Sequence, residues 1–419
     1  MLKISFWNSR MKPSYRIENI TNGGSDGWEI FYKARKMMAS GINVIELSIG
    51  EHDIGTDPAI LKSMHKAAIN GQTGYAPVPG LEELRALIAH RTEKKTGIKT
   101  SLENVIVTPG GQSALFAAHM AVLDEGDTAA YIDPYYATYP TTIRSVGAQE
   151  RRIITRAENY FQPTFNQLDS ATQKTKSLLI NSPNNPTGMV YDKTTIKNIC
   201  EVANKHNLWV ISDEVYDTQI WAGKHISPRE IDNMVERTLV VGSLSKSHAM
   251  TGSRLGWLIG PERIISKAID LATNMTYGVP GFIQQAGIFA LEQGKKFEEK
   301  ISEPFNRRSK LALDILQDFP DLGHIPPQGA MYLMLNIRTT GMSGLSFANK
   351  LLDVKKIAVM PGESFGEAAS GHVRISLTLE DNKFAETFRS VCEFASDLSM
   401  EKHKKEKVQN QLSPILNSK

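Results

Sequence analysis

Four short polar segments, three of them directly following an apolar, β-branched run, hold the residues of this chain best suited to chemistry. The first is Ser243-Leu244-Ser245-Lys246-Ser247-His248-Ala249-Met250-Thr251-Gly252-Ser253-Arg254-Leu255-Gly256. A charged amine at the end of a buried strand must be paired or neutralised. One use for it is a Schiff base, which needs a pKa well below the free value of about 10.4. Arg254 follows and could bind a dianion, with Ser243 and Ser245 supplying hydroxyl donors. By itself the segment also suits a solvated loop lysine.

The second segment, Asp213-Glu214-Val215-Tyr216, follows the run Leu208–Ser212. An aspartate at the carboxyl end of a parallel strand sits where open α/β sheets place ligands, and there it could pair with a protonated ring nitrogen. Its plainer reading is an N-cap for a following helix. The third, Asn181-Ser182-Pro183-Asn184-Asn185-Pro186-Thr187-Gly188, is either a stiffened loop or a rigid frame from which Asn185 donates a hydrogen bond. The fourth, Gly110-Gly111-Gln112, is a tight turn or a phosphate site at a helix start.

These segments need elements to position them. Val105–Val107, Ala129–Ile132, Ser177–Asn181, Leu208–Ser212 and Thr238–Gly242 read as strands, and Leu81–Lys95, Gln112–Leu123 and Thr194–His206 as helices, the first stopped by Gly97. Such alternation predicts a mostly parallel α/β sheet with helices on both faces. After Pro304 the texture changes to a long helical stretch, the weakly alternating Ala330–Asn336, another helix and the strand Val373–Leu377, as in a smaller α+β unit. The tail beyond about Met400 has little to bury and reads as mobile.

Bulk properties narrow the classes. The net charge of +3 resides in the last 20 residues, where five lysines outnumber two glutamates, so the body is neutral and gives no reason to invoke nucleic acid. Only Cys200 and Cys392 occur. With no secretory h-region this suggests a reduced, cytoplasmic setting. No run reaches the roughly 18 apolar residues of a membrane span, so no membrane association is expected. Met11 could equally be a start, which would make the first ten residues dispensable. No metal site is expected.

In order and spacing the four segments resemble the class I/II aminotransferase family, within fold type I of the pyridoxal-phosphate enzymes. The resemblance runs from about Ser14 to Asp397, and its Ser-x-Ser-Lys…Gly-x-Arg-x-Gly and Asn-Asn-Pro-Thr-Gly parts are highly specific. It implies an N-terminal segment 1–55 serving the small domain and the active-site entrance, a large cofactor domain 56–304, a small C-terminal domain 305–399 and a basic tail 400–419. It implies pyridoxal 5'-phosphate as cofactor, a 2-amino acid and a 2-oxo acid as substrates, and a homodimer.

The same resemblance assigns roles. Lys246 matches the Schiff-base lysine and proton shuttle, and Asp213 the carboxylate that keeps the pyridine nitrogen protonated. Tyr216 and Asn185 match the partners of the phenolic oxygen. Gly111, Gln112, Ser243, Ser245 and Arg254 match the phosphate site, and Tyr75 a tyrosine that reaches the phosphate of the neighbouring subunit. Tyr136, with Tyr135 as the other candidate, matches the ring-stacking residue. Arg374, in His372-Val373-Arg374-Ile375-Ser376, resembles the arginine that clamps the substrate α-carboxylate, to which Gly50 would offer its amide.

Two departures bear on shape and substrate. His52 and Ile54 stand where the family commonly has Pro and Phe, so the loop after Gly50 is expected to differ. Aspartate-specific relatives tend to carry Lys directly after the Gly-Gly pair, where this chain has Gln112. Several stretches, among them Asp26–Tyr32 and Tyr277–Gln284, resemble the arginine:pyruvate transaminase subtype. A guanidinium would need an acid, for which Glu29 and Glu51 are candidates by position. Aspartate transamination, carbon–sulfur lysis or racemisation would keep Lys246, Asp213 and Arg374. A cofactor-sensing regulator would need a DNA-binding module that the 40 residues before Gly41 do not provide.

Overall fold

The computed structural model describes residues 11–22 and 27–416, with side chains as far as Glu406; the first ten residues, Asp26 and the last three residues lie outside it. Its central sheet has seven strands: β1 Val105–Thr108, β2 Thr128–Asp133, β3 Gln149–Ile154, β4 Ser177–Asn181, β5 Trp209–Asp213, β6 Thr238–Ser243 and β7 Gly256–Ile259. Their spatial order is β1-β7-β6-β5-β4-β2-β3. Neighbours are parallel except at β7, which runs antiparallel to both β1 and β6. Helices cover both faces, so strands β1, β4 and β6 are buried throughout and read as nearly continuous apolar runs, β1 even though it lies at the sheet edge.

The strand expectations hold to within a residue or so, and two strands were not anticipated. β3, Gln-Glu-Arg-Arg-Ile-Ile, is an edge strand whose charged side chains face solvent. Charge at an edge blocks pairing with other chains and also hides the strand pattern. β7 begins at Gly256, inside the segment read for chemistry. The helix expected from Gln112 spans Gly110–Val122, so the glycine pair forms its first turn, with Gly110 at φ +79°. Asp213 ends β5, and a turn at residues 215–218 follows it, so it caps no helix.

One close approach depends on a missing side chain. A Cβ on Gly256 would lie 2.6 Å from the Gly110 carbonyl carbon and 2.8 Å from the Gly111 nitrogen. Strand β7 therefore passes directly against the start of the Gly110–Val122 helix, and any larger residue would displace one or the other.

A second sheet contains β8 Gly323–Ile325, β9 Tyr332–Asn336, β10 Met360–Pro361 and β11 His372–Ser376, in the antiparallel order β10-β11-β9-β8. Ile30, Ala34, Val44 and Leu47 from the N-terminal part share its hydrophobic cluster with Phe347, Phe384 and Phe388. Ile45–Glu46 also pairs in parallel with Ile357–Ala358. The helix Gly294–Leu316 runs unbroken through Pro304, so the texture change there marks new packing partners rather than a chain break. The last helix, Asp381–Leu416, buries Phe384, Phe388, Val391, Cys392 and Ala395 along one stripe. It continues beyond Met400 to Leu416, where a mobile tail was expected. Among the described residues no helix is long and apolar enough to cross a membrane.

Candidate active site

The carboxyl ends of β4, β5 and β6 are level. Asn181 pairs with Asp213, and Asp213 with Val241, two residues before Ser243. The loops leaving these ends, with residues from the second sheet, enclose a cavity of about 260 Å³. Gly50, Gly111, Gln112, Tyr136, Asn185, Asp213, Tyr216, Ser243, Ser245, Lys246, Arg254 and Arg374 all line it. Tyr75 does not; it is 92% exposed and packs edge-on against Tyr277. Tyr136 lines the cavity, whereas Tyr135 lines a second one beside Glu29. Glu51 lines the first and accepts a hydrogen bond from the Thr251 hydroxyl.

At the floor, Asp213 is buried and accepts a 2.6 Å hydrogen bond from the Tyr139 hydroxyl. Burial raises its carboxyl to about 6, offset in part by Tyr139 and the Val215 amide. Among the described residues no cation is paired with it, and none is among the groups that shift its carboxyl. Asn181 donates to the Asp213 carbonyl and accepts from the Asn185 amide, tying the two loops together.

Lys246 sits in a short helix, Leu244–Ser247, that begins where β6 ends. Its Nζ donates to the Gly50 carbonyl. Burial holds the amine below its ordinary value, with Arg374 and Arg254 acting in the same direction. Gln219 donates to the Lys246 carbonyl and fixes the backbone.

At one end of the cavity, no side chain caps the Gly110–Val122 helix, so its first amides are available. Arg254, in the left-handed region at φ 51°, lies against Gly110, where a Cβ would be 2.3 Å from its Nη2. Ser243 and Ser245 complete that end, their hydroxyls 2.9 Å apart. At the other end Arg374 is 1% exposed. Its guanidinium lies 4.3 Å from the Tyr332 ring centroid and 4.4 Å from that of Phe365. It donates to Asn185 Oδ1 at 2.8 Å and to the Ser48 carbonyl, while Nε has no partner. Since the Asn185 carbonyl is used, its NH₂ group remains as a donor.

Residues not singled out from sequence also shape the cavity. Tyr139 holds Asp213, and Tyr332 meets the Tyr216 hydroxyl at 3.0 Å and abuts Gly50, where a Cβ would overlap its hydroxyl. Tyr139 opens the helix Tyr139–Ser145 three residues after Tyr136, whose carbonyl accepts its amide at 2.9 Å, and that nearness to Tyr136 is the local signal that could have found it. The Gln112 amide donates to Thr142 at 2.8 Å and accepts from Thr138 at 2.9 Å. In the loop after Gly50, His52 packs edge-on against Phe305 and burial lowers its imidazole to about 4, while Ile54 is exposed.

These residues fit pyridoxal phosphate. A buried carboxylate without a cation suits a protonated ring nitrogen, and Lys246 suits an aldehyde. The helix start with Arg254, Ser243 and Ser245 suits a phosphate dianion. The orphaned Nε of Arg374 suits the carboxylate of a second molecule.

Comparison with known proteins agrees. The family model described as aminotransferase class I and II matches residues 42–391. An arginine–pyruvate transaminase of Pseudomonas aeruginosa is 36% identical over 93% of this chain and 99% of its own length. An aspartate aminotransferase of Pyrococcus horikoshii is 35% identical over 87% of this chain and 92% of its own. The structure of Thermus thermophilus aspartate aminotransferase with maleate superposes with a TM-score of 0.86 at 31% identity, covering 93% of this chain and all of that one.

The Asp213 environment makes a pH prediction for the cofactor-free protein. Its folded pKa of about 6 exceeds the ordinary 3.8, so the folded chain holds the extra proton between those values. Stability from this group is therefore full below about pH 4 and falls as pH rises to about 6. Asp213→Asn should remove that loss, on the order of 3 kcal/mol. In urea unfolding at pH 4.5 and pH 7 the variant should gain on the wild type toward pH 7; a constant gap would contradict an uncompensated carboxylate.

Proposed function

This chain belongs to the class I and II aminotransferases and is a pyridoxal-phosphate-dependent enzyme, and from that premise we propose how its residues divide the work and which amino acid it uses. The single observation that carries the reading is the cavity in which Lys246, the cation-free Asp213 and the acid-free Arg374 face one another. Bound there, pyridoxal phosphate supplies an electron sink for the electrons released when the Cα–H bond of an amino acid ionises. Lys246 would hold the cofactor through Nζ and, once the substrate amine has displaced it, would take the proton from Cα and deliver it to the carbon that carried the cofactor's aldehyde. Asp213 keeps a proton on the ring nitrogen, with Tyr139 fixing the carboxylate. The Asn185 NH₂ and Tyr216 hydroxyl donate to the phenolic oxygen, and Tyr136 stacks on the ring. Gly111 and Gln112 amides, Ser243, Ser245 and Arg254 hold the phosphate. Arg374 binds the α-carboxylate of both substrates, with the Gly50 amide beside it. Cys200 and Cys392 are buried free thiols, consistent with a cytoplasmic enzyme.

Borohydride treatment of the yellow holoenzyme should fix the cofactor on Lys246, as peptide mapping reads. Lys246→Ala should bind cofactor without a covalent link and lose nearly all turnover. A label on another residue would overturn the assignment.

The working form is a homodimer in which Tyr75 of one subunit reaches the phosphate of the other. Its exposure in the single chain, outside that chain's own cavity, supports this. Tyr75→Phe should loosen cofactor binding more than it slows the chemical step. Sedimentation showing a fully active monomer would rule the arrangement out.

For the amino donor, the 36% identical relative and the side chain at position 112 favour a cationic or neutral amino acid, arginine first, with pyruvate as acceptor. Gln112 has no charge, and Thr138 and Thr142 occupy its amide. A substrate side-chain carboxylate left unpaired there would cost a few kcal/mol, or on the order of a hundredfold in kcat/KM. Measured with the same acceptor, arginine should outpace aspartate, and Gln112→Lys should raise aspartate turnover while lowering that of arginine. Aspartate faster by about tenfold in the wild type would place the enzyme with the aspartate aminotransferases.

A further inference from the structure

The residue at the end of β2 acts on neither cofactor nor substrate in the scheme above, yet it joins the two halves of the cavity. Asp133 is fully buried. Its Oδ2 accepts the Glu367 amide at 3.0 Å and its Oδ1 the Ala368 amide at 3.2 Å. Two residues on, the Tyr135 amide donates to the Phe365 carbonyl at 2.9 Å. Between those contacts Gly366 has φ +115°, and a Cβ on it would lie 2.1 Å from Asp133 Oδ1. Only glycine lets this loop close on the carboxylate.

The loop ends matter because of what each carries. Phe365, buried, is one of the two aromatic faces on the Arg374 guanidinium. Tyr136, three residues after Asp133, lines the cofactor side of the cavity. Asp133 thus ties the strand end that supplies Tyr136 to the loop that supplies Phe365.

We propose that Asp133 is a positioning residue for the substrate-carboxylate arginine: its carboxylate clasps residues 366–368 and so holds the Phe365 ring against Arg374. This rests on the reading of Arg374 as the α-carboxylate site. Two amide donors are best met by the two anionic oxygens of an ionised carboxylate; protonation turns one of them into a hydroxyl, a weaker acceptor with its own proton to place. Burial pushes the Asp133 carboxyl up to about 6, against the lowering effect of the two amides. The charged and titratable groups facing it are few. Arg152 on β3 is 3.9 Å away and also 3.8 Å from Glu367 on the loop, and Tyr135 lies on its own segment. Arg152 and Glu367 are both well exposed, so water screens their opposing effects. The clasp therefore loosens as pH falls through about 6.

The test compares steady-state kinetics of the holoenzyme in wild type and three variants. Asp133→Asn offers one acceptor and turns an NH₂ toward the other amide. It should raise KM for the amino acid and the oxo acid together by about tenfold, with kcat and cofactor affinity little changed. In the wild type both KM values should climb below about pH 6, and in the variant that limb should be gone. Phe365→Leu, which keeps the loop apolar, should give the same paired rise in KM while leaving the limb in place. It keeps the idea testable if the asparagine variant does not fold. Unchanged KM values, or loss of kcat or cofactor with KM constant, would overturn the clasp. Arg374→Lys separates the two claims. If it leaves both KM values alone, the carboxylate site itself is misassigned; if it raises them and Asp133→Asn does not, the clasp alone fails.

Discussion

A buried guanidinium with no acid beside it is the constraint around which the rest of the cavity is arranged. Taking an arginine out of water costs several kcal/mol unless other groups replace its hydration. Arg374 is 1% exposed, and burial lowers the affinity of its guanidinium for its proton. The replacement comes from four places: the Asn185 and Ser48 oxygens in the plane of the group, and the Tyr332 and Phe365 rings on its faces. Each belongs to a different segment. Ser48 lies in the N-terminal part, Asn185 after β4, Tyr332 on β9 and Phe365 beyond β10. Stabilising one charge thus requires four distant stretches to meet, and three of them, at residues 49–51, Asn185 and Tyr332, line the cavity.

The opposite wall obeys a rule of backbone approach rather than charge. Strand β7 passes so near the Gly110–Val122 helix that Gly256 cannot carry a side chain, and Gly110 must be bare for Arg254 to lie beside it. The two glycines together bring the helix amides and the guanidinium to one place, where an anion meets both. Behind the floor, Arg91 pairs with Asp217 and Glu298, and Lys95 also pairs with Asp217. Despite the cost of burial, Arg91 and Lys95 hold the Asp217 carboxyl well below its usual range. Asp217 follows Tyr216 directly, so this cluster anchors the turn that presents the phenol.

What the sequence revealed follows the same division. Lys246, Asp213 and Asn185 were legible in combination: each sits at or soon after the end of an apolar run, where one alone also suits a solvated lysine, an N-cap or a stiffened loop, and the order and spacing of the segments resolved them. The parallel sheet was legible because buried strands leave unbroken apolar runs. Edge strand β3 was not, since half its residues are charged for reasons of solubility. Tyr139, Tyr332, Phe365 and Asp133 were invisible for a different reason: each acts through a partner between 9 and 235 residues away, and nothing local distinguishes such a tyrosine or phenylalanine from core. Asp213 and Tyr139 are 74 residues apart, Tyr216 and Tyr332 116, and Asp133 and Ala368 235. Arg374 became legible only through the family resemblance, because an arginine on a short strand reads as readily as a surface residue.

On the proposed assignment, the two uncompensated charges would let cofactor and substrate stabilise the fold they bind to. Asp213 lacks a cation and Arg374 lacks an acid, and they face one cavity without touching each other. Among the described residues none pairs with either charge; a protein acid beside Arg374 would compete with a substrate carboxylate, and a protein cation beside Asp213 would compete with the ring nitrogen. Each ligand therefore removes a penalty that the free protein carries, and part of its affinity is relief of that penalty rather than new contact. The selectivity that results is unequal along the substrate. On the reading proposed for Arg374, it would be strict at the α-carboxylate, since a molecule without that group would leave Arg374 unpaired. At the side chain it would, on the same reading, be set near position 112, where a neutral amide already bonded to Thr138 and Thr142 neither demands nor satisfies a charge. An enzyme built this way selects 2-amino acids as a class first, and distinguishes among them by smaller terms.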